Sequence, residues 1–374
     1  MFSIFNIFEN YTLTIALAGA ALLGSISGIT GTLAMLKRQH LTVNLVSYAA
    51  LPGIAIAFIL TDTNSHLIFL IGAMLTGLLA IVQISPLIRK KRGHQDRILT
   101  FILSVFFSLG IVLFTFAQSK PRAAQAGIET FFFGQPSVAL MSDLKIIAVI
   151  ALFLSIPLLL FWKELLITAF DPVYAAASGI SAIKIEAVFA AILIGNVAAG
   201  VQTIGVMLMG AMLTAPPLAA RQWTNNIRIL LFLSALFGML SGIAGSALSY
   251  HIQGLPTGPA IIVCAGLITF LSFFFAPKRG LCFVYFRSKS EQASAGLEAI
   301  LEVLYTLSHQ HTDKDFYGHP YSVIQSIFPL KTNTYTILSE LCTKGLAVQT
   351  GRNEWSITPE GKKYMEEDLR GYVK

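Results

Sequence analysis

Apolar residues fill the first three-quarters of this chain in long blocks, separated by short polar connections. A run of about 18 or more apolar residues with few charges can cross ~30 Å of hydrocarbon as a helix. Nine such runs stand out, at residues 11–36, 44–60, 67–88, 98–117, 143–162, 182–199, 201–220, 227–250 and 257–276. The runs 44–60 and 201–220 are short or interrupted by Pro and Gly, so eight spans are also possible. Continuous apolar runs of this length satisfy their backbone in lipid as helices. The pattern predicts an all-α polytopic membrane bundle of about nine spans over residues 1–280. No basic cluster precedes the first run, so it reads as an uncleaved span rather than a signal peptide.

Beyond Lys278 the spacing changes. Residues 281–295 read as a linker, basic and aromatic at first and polar from Ser288. Leu297, Ile300, Leu301, Leu304 and Leu307 then recur at i, i+3, i+4 and i+7, the buried face of an amphipathic helix. A shorter helix over Tyr321–Phe328 stops at Pro329. A third starts at Thr332, buries Tyr335, Leu338, Leu341 and Cys342, and ends at Gly345. Leu346–Thr350 and Glu354–Thr358 flank Gly351-Arg352-Asn353 as a hairpin, and a last helix begins at Pro359. This order predicts a small cytoplasmic winged helix-turn-helix domain over residues 296–374.

Composition excludes a soluble globule. The 374 residues are 55% hydrophobic and 12% charged, about half the roughly 25% charge of soluble domains. Of 26 Lys+Arg and 19 Asp+Glu, 16 and 8 lie in residues 1–286, leaving 10 and 11 for the tail. The basic excess therefore belongs to the bundle. Lys37-Arg38, Arg89–Arg92, Lys163, Arg221, Arg228 and Lys278-Arg279 fall on alternate connections, which the positive-inside rule makes cytoplasmic. With nine spans the N-terminus lies outside; Lys120 and Arg122 break the pattern. Cys264, Cys282 and Cys342 form no spacing motif, and Cys264 and Cys342 read as buried free thiols.

Three segments carry a resemblance. Residues 44–58 hold Ser47, Leu51, Pro52 and Gly53 in the frame of an Asp-x-x-Ser-His-x-x-Leu-Pro-Gly segment, with Asn44 and Tyr48 at the Asp and His positions. Phe170-Asp171-Pro172 through Ala177, Gly179 and Ile180 matches a Phe-Asp-Pro…Ala…Gly-Ile stretch. Gly205–Arg221 matches Gly-Val-x-Leu-x-x-Ala-Leu-x-x-x-Pro-x-x-Ala-Ala. Together they resemble the permeases of zinc/manganese/iron ATP-binding-cassette importers. The resemblance implies a bacterial inner-membrane subunit that moves a divalent metal ion as substrate and holds no intrinsic cofactor. It implies as partners an ATP-binding subunit, an extracytoplasmic metal-binding protein and a second permease subunit, alike or unlike. Asn44, Ser47, Tyr48 and Pro52 would line the path. Phe170, Asp171, Pro172 and Gly179 would form the helix that docks on the ATPase. The chain has no Gly-x-x-x-x-Gly-Lys-Ser/Thr loop, so ATP hydrolysis falls to the separate subunit and this one is no enzyme.

Zinc and manganese favour imidazole or carboxylate, and the spans offer almost none. Asp143 and Glu186 sit at span ends as solvated caps. Asn44 and Tyr48, four apart on one helical face, offer an amide oxygen and a phenol; packing and a direct role both remain open. A heterodimer whose other permease keeps Asp and His is one resolution. Glycine pairs at Gly24/Gly28 and Gly238/Gly242 read as close helix packing, as do Met207, Met209 and Met212.

The tail from Lys344 to Val348 and from Ile357 to Gly361 resembles iron-dependent, diphtheria-toxin-type repressors. If it bound DNA, Lys331, Asn333 and Thr334 would reach the groove and Arg352 a phosphate, against a net tail charge of −1. His309, His311 and His319 with Asp313 and Asp315 are a candidate cluster. The alternative function is therefore a membrane-held or proteolytically released metal-responsive transcriptional regulator.

Overall fold

The computed structural model describes residues 11–61, 66–90, 95–119, 132, 134, 141–252, 254–277, 280–309, 318–327 and 334–372. The chain divides into two compact units, residues 1–280 and 281–374.

The first unit is helical. In chain order it comprises α1 (Tyr11–Leu36), α2 (His40–Thr61), α3 (His66–Lys90), α4 (Gln95–Gln118), α5 (Met141–Leu160), α6 (Trp162–Phe170) and α7 (Pro172–Ala177). There follow α8 (Ala182–Ile204), α9 (Val206–Trp223), α10 (Ile227–His251) and α11 (Thr257–Phe275). Among the described residues seven helices are long and apolar enough to cross a membrane. There are eight if α5 and α6, bent by 64°, form one broken span.

The expectation of nine spans is corrected at the 201–220 run. That run divides at Gly205, whose φ of 97° suits a residue without a Cβ. Its first part ends α8; the rest becomes α9, an 18-residue helix containing Pro216 and Pro217. Small and polar positions make α9 too weakly apolar to count as a span alone. It is instead a core helix: Val206, Met209, Met212, Leu213 and both prolines are buried.

The glycine pairs meet each other. A Cβ on Gly24 would strike the Gly238 carbonyl, one on Gly28 the Ser234 carbonyl, and one on Gly242 the Ala20 carbonyl. α1 and α10 therefore run antiparallel in backbone contact, and Ser234 Oγ donates to the Gly28 carbonyl at 2.7 Å. Without a hydrophobic force between helices in lipid, such close approach is what holds them. The outward faces of α3, α4, α5, α10 and α11 expose large apolar side chains, among them Leu75, Phe101, Phe153, Phe232 and Phe270. That is the surface a bilayer covers.

The second unit comprises α12 (Leu281–His309), β1 (His319–Pro320), α13 (Tyr321–Ile327), α14 (Thr334–Thr343), β2 (Ala347–Gly351), β3 (Glu354–Ile357) and α15 (Pro359–Tyr372). The strands form an antiparallel sheet in the order β1-β3-β2. Asn353 turns the hairpin with φ 81°, and Gly345 ends α14 with φ 74°. Thr358 Oγ1 donates to the Gly345 carbonyl and accepts from the Gly361 N–H, capping α15. The expected helical face packs as a core: Leu297, Ile300, Leu301, Leu304 and Leu307 meet Ile324, Leu338, Leu341, Trp355 and Ile357.

Two expectations change here. Residues 281–295, read as a linker, begin the 29-residue α12, because no Pro or Gly interrupts them. Tyr335, assigned to the buried face, is 49% exposed and rests edge-on against Trp355. The two-residue β1 was too short to show any periodicity.

Candidate translocation site and its inner-end elements

Four helices, α1, α2, α8 and α9, pack mutually at the centre of the first unit. α2 is the most buried of the candidate spans. Asn44 is half-buried on its first turns and lies against Gly210 of α9: a Cβ there would come within 2.5 Å of Asn44 Oδ1. Among the described residues its amide has no hydrogen-bond partner.

One turn on, Tyr48 is half-buried and its ring packs on Phe107 of α4, centroids 5.1 Å apart. The two side chains share a face of α2 but diverge, one to α9 and the other to α4. Ser47 is buried, and its hydroxyl donates to the Val43 carbonyl one turn back, which keeps its oxygen lone pairs free. Pro52 is buried against Gly110; its missing N–H removes the helical partner of the Tyr48 carbonyl.

Beyond Tyr48 the interior is apolar. Leu51, Ile54, Phe114 and Val206 line a space too small for a water molecule. Phe114 packs edge-on against Phe132, centroids 4.2 Å apart. This end is closed.

At the other end Glu186 is exposed at a span end, as expected, and is also clasped by two side chains. Lys37 Nζ donates to one oxygen at 3.0 Å and Gln39 Nε2 to the other. The Lys37 ammonium also stands 5.2 Å from the centroid of the Phe189 ring. The α1–α2 turn that carries them is tight: Arg38 takes φ 56°, and the Gln39 N–H returns to the Ala34 carbonyl. Sequence reading missed this clasp, because 147 residues or more separate its members. It also missed Asn196 on α8, whose Oδ1 accepts from Ser27 Oγ of α1 at 3.2 Å. A buried polar residue inside an apolar run was the available signal. The side chain of Asp143 lies outside the described residues.

α7 joins the same end, directly before α8. Asp171 caps it, accepting from the N–H groups of Val173 and Tyr174 at 3.1 and 2.9 Å, and Pro172 takes the first helical position, where no N–H is needed. Gly179 closes the turn with φ 78°. Ala175 is buried, whereas Phe170, Val173 and Tyr174 are exposed. A short, rigid element with apolar side chains facing outward results.

In the second unit Thr334 is 2% exposed at the start of α14. It is a buried helix-start residue rather than a groove contact, and that expectation is corrected. Arg352 is exposed on the hairpin; Lys331 and Asn333 lie outside the described residues. His319 is buried in β1, while His311, Asp313, Asp315 and the His309 side chain also fall outside them. No group of three or more His, Cys, Asp or Glu side chains gathers among the described residues. The cysteines are free; Cys264 and Cys342 are partly buried and Cys282 exposed.

A polytopic helical bundle with neutral polar side chains at its centre and a short, capped helix between two spans has the architecture of a transport permease. The chain belongs to the ABC 3 transport family, whose model matches residues 9–276. It is 40% identical over 289 residues to the zinc transport system membrane protein TroC of Treponema pallidum, spanning 77% of this chain and 97% of that protein. It is 35% identical over 289 residues to the manganese transport system membrane protein MntC of Bacillus subtilis, spanning 77% of this chain and 66% of that one. Among solved structures, PsaBC from Streptococcus pneumoniae in complex with Fab superposes with a TM-score of 0.65 at 27% identity. That match covers 76% of this chain and 98% of the other.

Proposed function

We propose that this chain is the inner-membrane permease subunit of an ATP-driven importer for a divalent metal ion: manganese, zinc or iron. The observation that carries the reading is the family match over residues 9–276, joined to a bundle whose core helices meet at Asn44 and Gly210. The relatives named for zinc and manganese transport support the substrate class. An ATP-binding subunit would dock at α7, where exposed Phe170, Val173 and Tyr174 flank the Asp171 cap. An extracytoplasmic metal-binding protein would deliver the ion to the opposite end, and a second permease subunit would complete the conduit. The lack of carboxylate or imidazole at Asn44 and Tyr48 favours an unlike partner that supplies them.

Residues 296–374 are an accessory domain in this reading. Helix, helix, helix, hairpin, helix is the order of a winged helix, and the capped turn at Gly345 and Thr358 supports it. A regulatory or protein-contact role suits its net charge of −2 better than DNA binding, which rests on a basic face. The transcriptional-regulator alternative gains no support from buried Thr334.

The test is reconstitution in vesicles with the ATP-binding and metal-binding partners, reading uptake of Mn(II), Zn(II) and Fe(II). ATP-dependent uptake of at least one is expected; uptake of none, with the partners bound, rejects the importer reading.

A further inference from the structure

Polar atoms cost free energy inside an apolar bundle, so those left there without a partner mark where something polar belongs. Two such atoms lie between α1 and α8. Asn196 is 1% exposed; Ser27 Oγ satisfies its Oδ1, but its Nδ2 is buried with no partner. Thr30, fully buried and one turn along α1 from Ser27, leaves Oγ1 unpartnered as well.

Their depth follows from the contacts. α1 and α8 run antiparallel, with Lys37 on Glu186 at the inner end and Ser27 on Asn196 ten residues further along each helix. At about 1.5 Å per residue this is ~15 Å, half the ~30 Å of hydrocarbon. α1 and α9 run in the same direction, since Gly24 meets Met212 and Gly31 meets Leu213 and Pro217. Asn196 and Ser27 therefore lie near mid-membrane, whereas Asn44, in the second turn of α2 counted from the same inner end, sits closer to that end.

We propose that Asn196, with Ser27 and Thr30, forms a neutral oxygen-donor site for the transported cation, deeper in the bundle than Asn44, and that it favours a hard, partly hydrated divalent ion such as Mn(II) over Zn(II). The inference rests on the importer reading and refines it. A half-turn of the Asn196 amide places Nδ2 on Ser27 Oγ and turns Oδ1 to the unpartnered side, because the two ends of the amide are nearly the same shape. The donor left unsatisfied by one orientation becomes the oxygen ligand of the other. Thr30 Oγ1 then supplies a second oxygen or accepts from a water on the ion. Amide, hydroxyl and water oxygens suit Mn(II), whereas Zn(II) draws more from imidazole and thiolate. Neutral donors also hold the ion weakly enough to release it, which conduction requires.

The experiment uses the full permease with its ATP-binding partner and Mn(II) and Zn(II) as probes. Asn196→Leu keeps the volume and removes both amide atoms. It is expected to lower Mn(II) uptake roughly 10-fold or more, by a larger factor than Zn(II) uptake, with thermal stability equal or raised. Asn196→Asp places a charged oxygen at the same point. It is expected to tighten equilibrium Mn(II) binding to the purified permease by roughly 10-fold while slowing release. Thr30→Val, nearly isosteric, is expected to weaken Mn(II) binding and serves if the Asn196 variants do not fold. Mn(II) uptake by Asn196→Leu at the wild-type rate overturns the site, as does wild-type Mn(II) binding by Asn196→Asp. Equal losses of Mn(II) and Zn(II) uptake overturn the selectivity. A wild-type transporter that imports none of Mn(II), Zn(II) and Fe(II) rejects the importer reading instead, and the binding measurement still decides the site.

Discussion

Lys37 and Glu186 form an ion pair of unequal burial: the lysine side chain is 5% exposed and the glutamate 49%. The asymmetry gives the two partners different costs when removed. Losing the acid strands a buried ammonium, whereas losing the base leaves a carboxylate that water can solvate.

Glu186→Gln is therefore expected to destabilise the purified permease by about 1–3 kcal/mol, and Lys37→Met by clearly less. The double variant should recover most of the loss. Thermal unfolding in detergent measures all three; equal costs for the two single variants would contradict the burial argument.

Gly24 and Gly238 touch backbone to backbone, so neither has room for a side chain. Gly24→Val or Gly238→Val must push α1 from α10, at a cost of about 1–3 kcal/mol. A lower unfolding temperature and reduced yield of monodisperse protein are expected. Gly266→Ala, where an added methyl would meet open space, is the control that should leave both unchanged.

Asp171 satisfies two N–H groups of α7. Asp171→Ala should cost about 1 kcal/mol of local stability and raise amide exchange across residues 173–178. If α7 is the docking helix, ATP-driven uptake falls while equilibrium metal binding does not. Asp171→Asn, which keeps an accepting oxygen, should restore most of the uptake.

Restoring the family's ligand types tests the unlike-partner reading. In a complex whose other permease has lost its own Asp and His, Asn44→Asp with Tyr48→His is expected to recover metal uptake. Recovery would be absent if α2 of this chain did not face the path.

Cys342 lies outside the bundle, and burial pushes its thiol above the ordinary value against a smaller opposing hydrogen bond from the Gln349 backbone. Less thiolate is present at neutral pH, so alkylation by a maleimide should be slower at Cys342 than at exposed Cys282. The Cys342 rate should climb as pH rises towards its raised pKa. Peptide mapping after timed labelling reads both sites.

The sequence by itself determined the class of molecule. Apolar run length and missing charge require helices in lipid, and the spacing of Leu297 to Leu307 requires a separate packed core. Local chemistry such as the Asp171-Pro172 start of α7 was equally legible, since caps depend only on neighbours in the chain. Tertiary structure alone decided the rest. The division at Gly205, the meeting of Gly24 with Gly238 and the clasp on Glu186 depend on which helices lie side by side. So does the pairing of Ser27 with Asn196, 169 residues apart in the chain. Hydropathy encodes how deep a residue can sit, but not what it faces; in an apolar bundle the facing is set by small residues and a few polar pairs.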